Sequence, residues 1–167
     1  MDEFVPLEVK ILDLIHGAAE LVSLLDYGME DQIQIFRRPI SPSDPNLSVG
    51  IWLASWQPLA DPSIGMLEQD LVQYSYGLST LVKSDNRESG LRISAILAKK
   101  VRLALVRNQE FRVQLQSLRE DEDGFSPFER VLRYKYERIT YDDMALSNGG
   151  FLYLTAAIFN VDTEIAS

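Results

Sequence analysis

The stretch VQYSYGLSTLVK, residues 72–83, decides the fold class, because its residues alternate in character along the chain. Val72, Tyr74, Tyr76, Leu78, Thr80 and Val82 fall on one side of an extended chain, and Gln73, Ser75, Gly77, Ser79 and Lys83 fall on the other. A period of two in aromatic and β-branched residues predicts a strand with one face in a core. The small polar row on the reverse is expected to face solvent or a neighbouring subunit.

Outward from this strand the same period recurs. Val49, Ile51 and Leu53 alternate with Gly50, Trp52 and Ala54, and Ile33 and Ile35 alternate with Gln32, Gln34 and Phe36, which predicts two more strands upstream. Downstream, Val131, Arg133, Lys135 and Glu137 alternate with Leu132, Tyr134 and Tyr136 in a strand extending towards Ile139 or Tyr141. Asn148-Gly149-Gly150 is a turn signal, and Phe151 to Val161 reads as strand again. That last strand carries Phe151, Tyr153, Thr155, Ala157, Phe159 and Val161 on one side and Leu152, Leu154, Ala156 and Ile158 on the other. A strand that is apolar on both faces belongs in the middle of a sheet or at a subunit boundary.

Two segments have helical spacing instead. Leu7, Ile11, Leu14, Ile15, Ala18, Val22 and Leu25 make one face of a helix over residues 6–26, with Pro6 suited to its first turn and Gly28 as a stop. Ser84-Asp85-Asn86 offers caps for a second helix over residues 88–108, whose core side holds Ile93, Leu97, Ala98, Val101, Ala104 and Leu105. The remainder of that helix is basic, with Arg92, Lys99, Lys100, Arg102 and Arg107, and Ile96 and Leu103 stand among these cations. Such a mixed surface suits docking on an acidic neighbour, although long aliphatic stems lying over two apolar residues account for it too. The order α-β-β-β-α-β-β predicts an α+β fold, with an antiparallel or mixed sheet of four to five strands and two main helices packed on it.

Length and composition set the outer bounds. A chain of 167 residues, 46% hydrophobic and 25% charged, is expected to make one domain over residues 1–167. A net charge of −9 argues against a generally basic surface that grips phosphate backbones. With no cysteine there is no disulfide, thiolate nucleophile or Cys-ligated metal, and one histidine leaves no His-rich metal site. No window approaches the roughly 18 uninterrupted apolar residues of a membrane span, and the acidic start MDEFVPLEVK is unlike a secretory signal. A soluble, cytosolically assembled protein is expected.

Sites that carry chemistry are sparse. Phosphate-loop, dinucleotide-binding, nucleophile-elbow and zinc-helix motifs are all missing, so no catalytic residue, metal or cofactor is assigned. Asp13, His16 and Glu20 fall near one another on the first helix, which admits a metal or acid–base role, but solvated local charge pairs explain the spacing and are expected. Glu120-Asp121-Glu122-Asp123-Gly124 is an acidic run that fails as a calcium loop, since the first ligand position would be Arg119. It is expected to be a solvated loop, or the acidic partner of a basic surface such as that of the second helix. Trp56 to Leu67 is apolar for a loop, so Trp56, Leu59, Ile64 and Met66 either tuck back or mark a contact surface.

Several local patterns combine into a resemblance. They are Ile51 to the Trp56-Gln57-Pro58-Leu59 segment, Leu81-Val82-Lys83, the second helix with Leu97, Lys100-Val101-Arg102 and Leu105, Arg112-Val113-Gln114-Leu115, Glu129-Arg130-Val131 with Arg138, and Phe151-Leu152-Tyr153-Leu154. Over roughly residues 49 to 162 the chain resembles the tail-terminator (tail-completion) proteins of long non-contractile-tailed bacteriophages. The Pro39–Pro45 loop and the Glu120–Asp123 run lie outside the match.

The resemblance implies a virion protein of the neck that forms a hexameric ring on the head-proximal end of the tail tube. Its partners would be further copies of itself, the tail tube protein and the head connector or stopper protein. DNA would pass through the lumen without specific binding, and no catalysis or cofactor is implied. An acidic subunit suits a ring through which DNA slides. Heterologous ring contacts need two different complementary patches per subunit, for which the basic second helix and Glu120 to Asp123 are candidates. The competing readings are another neck or tube component and a ligand-binding or enzymatic α+β domain.

Overall fold

The computed structural model describes residues 5–27, 33–59, 70–120, 128–137 and 139–166. In chain order the elements are helix α1 (Leu7–Glu20), a 3-10 turn (Leu25–Tyr27), strands β1 (Gln34–Phe36), β2 (Leu47–Leu59) and β3 (Asp70–Ser84), helices α2 (Arg87–Val106) and α3 (Gln109–Ser117), and strands β4 (Arg119–Glu120), β5 (Phe128–Tyr136), β6 (Thr140–Ala145) and β7 (Phe151–Ala166). The fold is α+β. One sheet runs in the order β1-β2-β3-β7-β5-β4, and β6 pairs with β7 alongside the other stretch of its length. Only the short β1–β2 pair is parallel; the others are antiparallel, so the sheet is mixed.

The alternation in β3 becomes a two-faced sheet. Tyr74, Tyr76, Leu78, Thr80 and Val82 lie opposite Val161, Phe159, Ala157, Thr155 and Tyr153 of β7, and directly opposed residues share a face. The helices cover that face. Tyr76 Oη donates to the Glu8 carbonyl of α1 at 2.7 Å, and Tyr153 Oη donates to the Arg87 carbonyl of α2 at 2.6 Å. Phe111 of α3 meets Phe159 with ring centroids 6.0 Å apart. Each of the two tyrosines thus buries its ring in the core while its hydroxyl satisfies a carbonyl near a helix start, which avoids a buried unpaired polar group. Leu7, Ile11, Ile15, Leu97, Val101, Leu105, Leu115, Val49 and Ile51 complete this layer. No described helix is long and apolar enough to cross a membrane.

Strand β7, apolar on both sides, sits in the middle of the sheet between β3 and the β5–β6 edge, one of the two places its pattern allows. The helix-side residues of β7 are core, while Leu152 is buried and Ile158 exposed on the reverse. Gly149, at φ 90°, makes the turn from β6 into β7, a conformation that favours glycine.

Several boundaries differ from the periodicity. Helix α1 stops at Glu20, short of residue 26, because the Leu21 and Val22 amides bond the Ala18 and Ala19 carbonyls and tighten the last turn. The chain then bends to bury Leu24. Gly28, the expected stop, lies outside the described residues. Trp56 to Leu59 belong to β2, not to a loop, since a register shift after Leu53 lets pairing with β3 continue to Leu59↔Leu71. Helix α3 is an addition to the two main helices. Asn108 caps it by accepting the Phe111 amide at 3.1 Å, and it buries only Phe111 and Leu115, too few positions to show a period. The strand from Val131 breaks after Tyr136 and resumes at Thr140 as β6, and the two-residue β4 is another addition. With β1 present as expected, β4 and β6 bring the described sheet to seven strands, beyond the four to five expected, with the class unchanged.

On the reverse face, Trp52 lies flat over Gly77, where an added Cβ would come within 2.3 Å of the indole. Replacing Gly77 with Val should therefore displace Trp52 and cost about 1–3 kcal/mol, the usual penalty for overpacking. Urea unfolding measures this, and an unchanged midpoint would show that the indole is not seated there.

Candidate functional site

Helix α2 carries the residues that the sequence marks most strongly. Asn86 caps it by accepting the Ser89 amide at 3.0 Å, and Gly90 lets it sit close to the Tyr153 ring, 2.4 Å from where a Cβ would be. Leu97, Ala98, Val101 and Leu105 go into the core, leaving Arg92 and Lys99 exposed on the outer side with no ion pair among the described residues. The other expected interface residues separate into different roles. Ile96 packs against the core beside Leu24 and Tyr27. Lys100 folds back onto the 3-10 turn, pairing with Asp26, donating to the Ser23 carbonyl and lying 5.0 Å from the Tyr27 ring centroid. It is a tie between α2 and the chain after α1. That bond to Lys100 is the main cause holding the Asp26 carboxyl below the usual carboxylate range. Leu103 is half-buried and lines an open groove of about 600 Å³ with Leu21, Leu25, Ala104 and Arg107. Leu21 and Leu25 remain 73% and 70% exposed at its mouth.

The reverse face of the sheet has no helix on it among the described residues and divides into two halves. At one end, Gln57 donates to Gln73 at 3.1 Å, Gln73 donates to Asp162 at 2.9 Å, and Arg133 donates to the same carboxylate, a polar chain across four strands. Ser75 donates to Asn160 at 2.6 Å, and Arg130 pairs with Glu164. Each carboxylate meets a cation, so this half is self-satisfied.

The other half is apolar and hollow. Trp52, Ile40, Leu154, Ser79, Thr140 and Asp142 line a depression of about 320 Å³. Ile158 stands 45% exposed beside Gly77. Ser79 Oγ is buried and makes no hydrogen bond among the described residues. One wall is the Pro39–Pro45 loop, pinned by Asp44. Arg38 donates to both Asp44 oxygens at 2.8 and 2.9 Å, and the Ser41 amide donates to Asp44 at 2.7 Å. The loop crosses the strands at Gly50, where a Cβ would stand 2.5 Å from the Arg38 carbonyl oxygen.

Along the edge of this half runs β6, exposed at every residue. Asp142 and Asp143 make no ion pair there among the described residues; Asp142 Oδ1 accepts the Asp143 amide at 2.9 Å. The sequence reading carried its strand no further than Tyr141 and missed the rest of β6, because six residues are too few to display a buried face. Its one signal is two adjacent carboxylates between Tyr141 and Met144.

The remaining expectations fall as follows. Trp56 is 63% exposed on β2 opposite Tyr74, and Leu59 is half-buried at the strand end. Ile64, Met66, Asp121, Glu122 and Asp123 lie outside the described residues, and the backbone of Glu120 pairs with Glu129 in β4–β5. Asp13 and His16 do not converge: Asp13 pairs with Arg37 across to the chain after β1, and His16 Nδ1 stands 2.9 Å from Glu20 Oε1. Buried Glu129 accepts hydrogen bonds from Tyr74 Oη at 2.8 Å and Thr163 Oγ1 at 2.6 Å, which makes it a structural crosslink of three strands.

No protein-family model and no curated protein matches the chain. Among solved structures, a chain of the virion of a native gene transfer agent particle is similar, with 8% identity and a TM-score of 0.45 over 90% of this chain and 91% of that one.

The Arg38 guanidinium, helped by the Ser41 amide, holds the Asp44 carboxyl down to about 2. A carboxyl that is more acidic when folded stabilises fully above its unfolded pKa of about 3.9 and loses that contribution as pH falls towards the folded value. The stability gap between wild type and Asp44→Asn should therefore be full at neutral pH and shrink between about pH 4 and pH 2. Denaturant titrations at several pH values check this, and a gap constant across the window would contradict it.

Proposed function

We propose that the chain is a structural protein of a long non-contractile-tailed phage virion, acting as one domain that forms a hexameric ring at the head-proximal end of the tail tube. There it ends tube polymerisation and joins the tail to the head connector. The observation that carries this reading is the sheet with helices on one face and, on the other, an apolar half left open beside Trp52 and Ile158. A sheet face with exposed large apolar side chains is an assembly surface, because leaving it in water forfeits burial worth roughly 25 cal/mol per Å². The sequence resemblance to tail terminators over residues 49 to 162 supplies the place in the particle.

The reading requires no chemical step. Several of the described ionisable groups are engaged in pairs that hold the fold, namely Arg38–Asp44, Lys100–Asp26, Arg130–Glu164 and Arg133–Asp162. A net charge of −9 per subunit suits a lumen that DNA traverses without sticking. Exposed Trp56, at the far end of β2 with Leu59, is assigned to contact with the tube protein. A phage lacking this protein should make DNA-filled heads together with tails that overgrow or fail to join them. Electron microscopy of the lysate decides the matter, and normal-length tails joined to heads would rule out the terminator role.

A further inference from the structure

The outer side of α2 and Asp142 on the open sheet face are opposite in charge and lie on opposite sides of the sheet. Arg92 and Lys99 are exposed cations without an ion pair among the described residues; Asp142 and Asp143 are exposed carboxylates in the same condition. Helix α2 covers the face that carries Tyr153, and Asp143, opposite Tyr153 at the β6 edge, belongs to that face, whereas Asp142, opposite Leu154, is on the other. Complementary patches on opposite sides of one subunit make a heterologous contact, which closes into a ring when each contact adds the appropriate rotation.

We propose that α2 of one copy docks against β6 and the adjoining hollow of the next copy, with Arg92 and Lys99 facing Asp142 and Asp143. This rests on the ring reading above and names the surfaces that close the ring. The hollow has the chemistry for a long cationic side chain. Trp52, Ile40 and Leu154 would take its aliphatic stem, while Asp142 at the rim would accept hydrogen bonds from its head. Seating such a chain covers exposed apolar surface in the same step. Asp143 points to the other side of the β6 edge, where a partner wrapping that edge meets it. The acidic half of the ring contact is thus assigned to β6.

Charge exchange tests the pairing. The full-length wild type, the Asp142→Lys/Asp143→Lys variant, the Arg92→Glu/Lys99→Glu variant and an equimolar mixture of the two variants are compared by native mass spectrometry and sedimentation at low salt, with circular dichroism melts to check folding. The wild type should form closed oligomers. Each variant alone should assemble at least about tenfold more weakly, since like charges face each other across every contact. The mixture should recover rings of alternating copies, because each variant's altered patch meets the other's. Variants that assemble like wild type, or a mixture that stays apart while the wild type assembles, overturn this interface and leave the ring itself standing. A wild type that remains monomeric throughout overturns the ring and the interface together.

Discussion

The antiparallel ladder between β3 and β7 is the constraint on which the rest of the structure depends. It runs without interruption from Asp70↔Ile165 to Ser84↔Phe151, joining two segments far apart in the chain. Its register puts Tyr76 beside Phe159 and Leu78 beside Ala157, and a slip by one residue would turn one of those rows away from the helices. Strand β3 resists such a slip because between Leu71 and Leu81 its reverse row, Gln73, Ser75, Gly77 and Ser79, is polar or small where the helix-side row is aromatic and aliphatic. Strand β7 resists it poorly by itself, being apolar on both sides. The selective strand fixes the register of the permissive one, and Thr80 bonded to Thr155 inside the core marks their alignment.

The surface proposed for assembly follows from this two-sided β7. A strand covered on one face only would need polar residues on the other, as β3 has at Gln73 and Ser75. Instead the reverse side of β7 changes character along its length, from Asp162 and Asn160 at one end to Ile158, Ala156 and Leu154 at the other. The polar end closes on itself through Arg133, Arg130 and Gln73. The apolar end is left with Trp52 laid over Gly77, the pinned Pro39–Pro45 loop on one side and an exposed acidic edge on the other. The described helices all lie on the other face and do not cover that end, and an outside surface docking there would remove it from water.

The central features were legible in the sequence because burial there is one-sided and long. The alternation of residues 72–83, the stripe on α2 and the two-faced last strand each specify an element and its place. What escaped depended on tertiary contacts that leave no period. The end of α1 at Glu20 follows from Leu24 dropping under α2 and Lys100 closing over Ser23, a contact between distant segments. Trp56 to Leu59 looked like loop because Pro58 interrupts the pattern, yet the register shift after Leu53 lets the strand pass on. At the candidate interface, Arg92 and Lys99 stand exposed as their spacing suggested, whereas Lys100 and Ile96 turn inward to hold the chain after α1. The carboxylates of β6 went unnoticed since an exposed edge strand carries no hydrophobic signature.

The central claim is that this chain closes a ring at one place in a virion. Cryo-electron microscopy of the neck of purified particles addresses it most directly. The account predicts a single closed hexameric ring of this chain between the last ring of the tail tube and the head connector, with the helix-covered face of each subunit against the open sheet face of the next. Density for this chain repeated along the tube, or none of it in the neck, would contradict the account.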